Sequence, residues 1–187
     1  MGNVGINKNN VGRIAERIVS NELEYRGFRV SDLNKEGTSA NADLLAARDG
    51  KTWQIQVKGA TEENGWWVNY GFGTEEVIAG TKPMYNAATS FYRAQVVVLV
   101  SVRSPHDYCC VVLPVAVAEK AAQLNLDHSY RNTKKDGSRK KPGKVWAAIR
   151  YIAKTKDASR IPLLKAEQEI LERHINNWDI ETTQEGA

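Results

Sequence analysis

Between Val11 and Tyr25 the apolar residues fall at helical spacing. Val11, Ile14, Ala15, Ile18, Val19 and Leu23 form one stripe, and Gly27 supplies the stop. The period then shortens to two. Phe28 and Val30, with Leu33 beyond them, predict a short strand. A polar connection, Asn34 to Asn41, leads to two further apolar runs, Ala42–Ala47 and Thr52–Lys58. Between those runs stands Asp49-Gly50, which predicts a two-residue hairpin loop, since a type I′ turn needs positive φ at both central residues. In that register Asp43 lies opposite Gln56.

Further along, the pattern is less regular. Glu62 to Gly80 holds four glycines among Trp66, Trp67, Tyr70 and Phe72 and reads as an irregular insertion or a short extra hairpin. Pro83–Arg93 reads as a helix. Gln95–Val102 is apolar almost throughout, as a strand buried on both faces requires, so it belongs at the centre of a sheet. Tyr108–Leu113 is another strand, stopped by Pro114, and Val115–Leu124 a helix. Trp146–Ile152 reads as a strand, and Pro162 opens a helix whose stripe is Leu164, Leu171, Ile175 and Trp178. The tail after Ile180 is polar and expected to fray. The order of elements predicts an α/β protein with a mixed rather than wholly parallel sheet.

Length and composition narrow the class. The 187 residues are 42% hydrophobic and 26% charged, enough for one domain with a real core. No apolar run approaches the roughly 20 residues of a membrane span, and the N-terminus lacks a signal-peptide pattern. Cys109 and Cys110, adjacent in an apolar run, suit neither a disulfide framework nor a metal knuckle. The expectation is a soluble, cytoplasmic protein without membrane partners, with a core over 1–125, a basic loop over 126–145 and a strand-and-helix extension over 146–187 packed on the same domain.

The net charge of +4 is unevenly spread. Arg131, Lys134, Lys135, Arg139, Lys140, Lys141 and Lys144 face a lone Asp136, leaving 19 basic against 21 acidic residues elsewhere. One basic segment on a near-neutral domain suits a polyanion held at one place, or equally a solvated loop. Charge alone does not choose.

The hairpin carries the chemistry. On one face, Ala42, Leu44 and Ala46 oppose Trp53, Ile55 and Val57. The other face gathers Asp43, Gln56 and, two residues on, Lys58. A carboxylate and an amide oxygen about 5 Å apart across a hairpin can share a hard divalent cation such as Mg²⁺, with the Val57 carbonyl at the same depth. Lys58 would sit beside the attacking water. The plainer reading is a buried Asp43–Lys58 salt bridge with no metal. Gln54 shares the face and reads as a solvated polar group. Ser39 and Asn41, ahead of Asp43, read as turn formers within reach of a phosphate. His106, His128 and His174 show no ligand spacing, and no Gly-rich phosphate loop is present.

A helix bearing Glu16, then Asp43, then Gln56-Val57-Lys58 on the following strand resembles the PD-(D/E)XK nuclease superfamily, whose core runs α-β-β-β-α-β. Gly12-Arg13-Ile14-Ala15-Glu16 with Gly27-Phe28 is similar to its resolvase-like and Mrr-like branches, where a helix-one Glu joins the metal site. The resemblance covers about the first 115 residues. Gln56 stands where most members carry Asp or Glu, a variant that occurs in the Mrr-like branch, and Ala42 replaces the preceding Pro. The resemblance implies a restriction-endonuclease-like core with a mixed central sheet and a C-terminal helical extension. It also implies a Mg²⁺-dependent DNA endonuclease, with Mn²⁺ able to substitute. Asp43, Gln56 and the Val57 carbonyl would hold the metal, Glu16 would assist, and Lys58 would position water. Glu22 lies nearer the centre of the helix stripe and competes with Glu16 on geometry; the resemblance favours Glu16. Lys134, Lys135, Arg139, Lys140, Lys141 and Lys144 would grip the DNA backbone. A double-strand cut would need two active sites, which a homodimer would supply. The alternative is a nuclease-like DNA-binding module that has lost catalysis, with Gln56 as the symptom.

Overall fold

The computed structural model describes residues 10–34, 42–61, 65–73, 93–104, 106–131, 143–149 and 161–181, with backbone only for 69–73, 127–131 and 143–146. The helix expected over Pro83–Arg93 lies outside them except for Arg93. Helix α1 (Val11–Tyr25) is followed by β1 (Arg29–Asp32), β2 (Leu44–Arg48), β3 (Lys51–Thr61), β4 (Trp66–Gly73), β5 (Val96–Ser104) and β6 (Asp107–Pro114). Helix α2 (Val115–Arg131), β7 (Gly143–Ile149) and α3 (Ile161–Glu172) complete the order.

Five strands form one sheet in the order β1-β2-β3-β5-β6. Only the β3–β5 pair is parallel, with Gln56 beside Val97 and Lys58 beside Leu99. The sheet is therefore mixed, with the apolar β5 inside it. Both its faces are covered. Alternate residues of β5 (Val96, Val98, Val100, Val102) enter a core with α1, Trp53, Ile55 and Val57. Val97 and Leu99 enter a second core with α2, Trp66, Val68 and Leu171.

Local chemistry sets the two turns that matter. Gly27, at φ +82°, ends α1, with Phe28 N–H donating to Leu23 O (3.1 Å) and Gly27 N–H to Glu24 O (2.9 Å). This crossed pair closes a helix through a left-handed residue. At the hairpin, Asp49 (φ 51°) and Gly50 (φ 76°) both take positive φ, and Leu44 pairs with Ile55 through to Arg48 with Lys51. The register is the one that the Asp-Gly turn demands.

Several boundaries differ from the sequence reading. The Glu62–Gly80 stretch is no self-contained insertion. Its β4 pairs antiparallel with β7, 70 or more residues on, as a separate two-stranded ribbon. Helix α2 runs to Arg131 and β7 begins at Gly143, so the basic connection is shorter than 126–145 and Lys144 belongs to a strand. Helix α3 stops at Glu172 and buries Leu163 and Leu171 rather than a stripe reaching Trp178. Ile175 instead bridges to Val111, and Trp178 enters the first core. Among the described residues no helix is long and apolar enough to cross a membrane.

Candidate active site

Asp43 precedes β2 by one residue and is locked there by backbone. Its N–H donates to Ile55 O (2.9 Å), and its carbonyl accepts from Leu33 N–H (3.0 Å). The ladder ends at Leu44 opposite Ile55, and beyond it the Gln56 side chain reaches the Asp43 carboxylate. Val57 N–H, beyond the last β2–β3 ladder pair, donates to Asp43 Oδ2 at 2.7 Å, and the Gln56 side-chain amide donates to the same oxygen. Asn34 offers its amide to Asp43 Oδ1 at 3.4 Å. A carboxylate at a strand end thus collects donors that the ladder no longer uses.

The sequence reading placed Gln56 on a face opposite the core. In the structure Gln56 is only 5% exposed, because the sheet is covered on that side too. Its amide nitrogen, not its oxygen, is turned toward Asp43, with a weaker contact to Val57 O at 3.4 Å. Half a turn about the last side-chain torsion exchanges the two atoms at no steric cost. With that turn, Asp43, Gln56 and the Val57 carbonyl form an all-oxygen donor set, which suits a hard cation such as Mg²⁺ and fits no soft metal.

Lys58 and Glu16 lie within electrostatic reach of this pair. Burial pushes the Lys58 amine below the ordinary lysine value, against the pull of Asp43 and then Glu16. Burial raises Glu16, and Asp43 and Asp32 raise it further, with Lys58 and Arg13 opposing. Among the described residues Lys58 forms no ion pair, so the plainer alternative of an Asp43–Lys58 salt bridge is not the arrangement found. Half-buried charges held close without direct pairing are a common mark of a functional site.

What brings α1 so near is Gly59. A Cβ at this position would stand 2.7 Å from Val11 O and 2.8 Å from Ala15 Cβ. Only glycine allows the helix backbone to approach β3 immediately beside Lys58. Spacing alone gave no sign of this, because the contact exists only once α1 is docked.

Of the two candidate carboxylates on α1, Glu22 is engaged elsewhere. It accepts from Tyr108 OH at 2.8 Å and pairs with Arg26 one turn on, a network that tethers α1 to β6. Asp32, at the end of β1 and opposite Leu44, is a carboxylate the sequence reading did not single out. Its strand is four residues long, too short for alternation to mark it. Among the described residues, no three His, Cys, Asp or Glu side chains converge as a metal cluster.

Two clefts are lined by neighbours of this site. One, of about 460 Å³, is lined by Glu16, Asp32, Arg13 and Arg17. The other, of about 300 Å³, is lined by Lys58 and Trp67. Gln54 is tied by backbone: its N–H donates to Gln95 Oε1 at 2.7 Å and its carbonyl accepts from Gln95 N–H. Cys109 and Cys110 are both free, and burial pushes the Cys110 thiol up to about 12, far from a nucleophilic thiolate. Ser39, Asn41, Lys134, Lys135, Arg139, Lys140 and Lys141 lie outside the described residues, and Lys144 is described by its backbone alone.

No protein-family model matches the chain, and no curated protein matches it. Among solved structures it is similar to a bacterial homing endonuclease, I-Ssp6803I. The match has a TM-score of 0.37 at 15% identity and covers 93% of this chain and 95% of that one. At that distance the PD-(D/E)XK resemblance stands on the residues of the hairpin alone.

Proposed function

We propose that this chain is a divalent-metal-dependent DNA endonuclease that hydrolyses phosphodiester bonds at the open end of the β2–β3 hairpin. The observation carrying the reading is the meeting of Asp43, Gln56 and Lys58 beside Glu16, on an approach that Gly59 alone permits. Asp43, the turned amide of Gln56 and the Val57 carbonyl would hold Mg²⁺ or Mn²⁺, with Glu16 assisting through water. When bound, the cation supplies Lewis acidity and charge neutralisation at the phosphate. The Lys58 amine orients the attacking water and offsets charge that builds on the phosphoryl oxygens during in-line displacement. The basic residues Lys134, Lys135, Arg139, Lys140, Lys141 and Lys144 would grip the duplex backbone, contacts that fix position without reading sequence. Two copies of the chain would deliver a double-strand cut.

Plasmid cleavage tests the reading. Nicking or linearisation is expected with Mg²⁺ or Mn²⁺ and none in EDTA. Equal cleavage with and without chelator, or none with either cation over a panel of duplex, branched and single-stranded substrates, sinks it.

One observation favours a second reading, a DNA-binding module without catalysis. Asp43 is already satisfied by three donors of the protein itself and requires no cation. Calorimetric titration with Mn²⁺ separates the two, since a dead site takes up no metal at millimolar concentration.

A further inference from the structure

Strand alternation splits the Trp66-Trp67 pair. Trp66 turns inward, 5% exposed, and its indole N–H donates to Val100 O at 3.0 Å. Trp67 must therefore point the other way, and it is 56% exposed, the largest uncovered ring among the described tryptophans. It lines the 300 Å³ cleft that Lys58 also lines, with Gly59, Ala60 and Gly65 as a floor of small residues. Folding gains little from leaving an indole in water, and the register partner across the ribbon is only Ala148.

We propose that Trp67 is a stacking platform for an unpaired nucleobase of the DNA strand at the active site, so that the preferred substrate carries unpaired nucleotides next to the cut. This rests on the nuclease reading for its phosphate, and Lys58 lines the same cleft. The cleft offers one cation and one flat apolar surface, and a nucleotide is the ligand class with a matching anion and a matching flat ring. In a closed duplex each base face is already stacked on its neighbours. Only a base out of the helix can lie on the indole, in the way single-strand binders use aromatic rings.

The test uses the whole chain in EDTA, so that binding is read without cleavage. Two probes are compared, a short single-stranded oligothymidylate and a fully paired duplex. Trp67→Ala is expected to weaken single-strand binding about tenfold, with duplex binding changed less than about twofold and an unaltered thermal midpoint. Trp67→Phe, which keeps a ring, retains most of the single-strand affinity. Trp67→Leu, apolar but without a ring, serves if the alanine variant unsettles the ribbon. Unchanged single-strand binding, or equal loss on both probes, overturns the proposal. The two readings fail separately. A chain that cuts DNA while Trp67→Ala binds like wild type keeps the nuclease and loses the platform. A chain that never cuts yet loses single-strand binding with Trp67→Ala keeps the platform and loses the nuclease.

Discussion

The two ends of one hairpin use charge in opposite ways. At the turn, Arg48 is fully engaged. Its guanidinium pairs with Glu181 at 2.9 Å, donates to Arg26 O at 3.0 Å and stacks over the Phe28 ring at 4.1 Å. At the open end, Lys58 is also half-buried but forms no ion pair among the described residues, and Glu16 is held above its ordinary value by burial and by Asp43. The same two strands therefore spend a cation on folding at one end and keep one in reserve at the other. Charge that the fold does not use is charge available to a ligand.

The comparison breaks most decisively at Asp43. Asp43→Asn keeps an acceptor for Val57 N–H but loses the carboxylate, and cleavage should fall more than about a hundredfold, beyond the effect of a merely supporting residue. Plasmid nicking rates read it, and near wild-type rates would show that the open end is only structural. Next comes a crossed pair of variants. Lys58→Met should cost about 10²–10³-fold in cleavage while the thermal midpoint holds or rises, since a half-buried amine is replaced by an apolar group. Arg48→Met should do the reverse, losing about 1–2 kcal/mol of stability with cleavage within about twofold. If both variants lose stability and both keep activity, the contrast between the two ends disappears.

Gly59→Ala should cost about 1–3 kcal/mol by overpacking and slow cleavage, because the atom it meets is the α1 backbone rather than a pliant side chain. Denaturant melts and nicking assays together measure it; a fully stable, fully active variant would mean that α1 stands off without consequence. The smallest effect is expected at His174, beyond the end of α3. Burial lowers its pKa and Arg173 adds to this, while a hydrogen bond to the Val112 backbone opposes. The unfolded chain thus binds the proton more tightly, so stability falls as pH drops below the ordinary histidine value of 6.5. His174→Gln should flatten that acid-side loss, read from melting midpoints between about pH 7 and 5. An unchanged slope would assign the acid loss to other groups.

What the sequence disclosed followed physical range. The hairpin was legible because Asp49-Gly50 fixes a turn locally and alternation then dictates the pairs from Arg48–Lys51 to Leu44–Ile55, beyond which the Asp43 and Gln56 side chains meet. The place of β5 was legible because nothing but two buried faces tolerates Val96 to Val100 in a row. Pairing of β4 with β7 left no trace, since residues so far apart share no turn and the glycines of β4 blur its alternation. The burial of Gln56 was missed for a related reason: alternation assigns a residue to a face but does not say what covers that face. Gly59 shows the limit most clearly, because its purpose is a helix that the local chain does not contain.

The outer edge of β6 is already occupied. Val112 N–H donates to His174 O at 2.9 Å, Asn176 N–H donates to Cys110 O at 2.7 Å, and Ile175 bridges to Val111. The opposite edge, β1, is four residues long and carries Arg29 and Asp32. Short charged edges and covered edges are how sheets avoid recruiting a foreign strand. The five-stranded sheet is thus closed at both ends to strand addition, so two copies would not extend it into a continuous ten-stranded sheet.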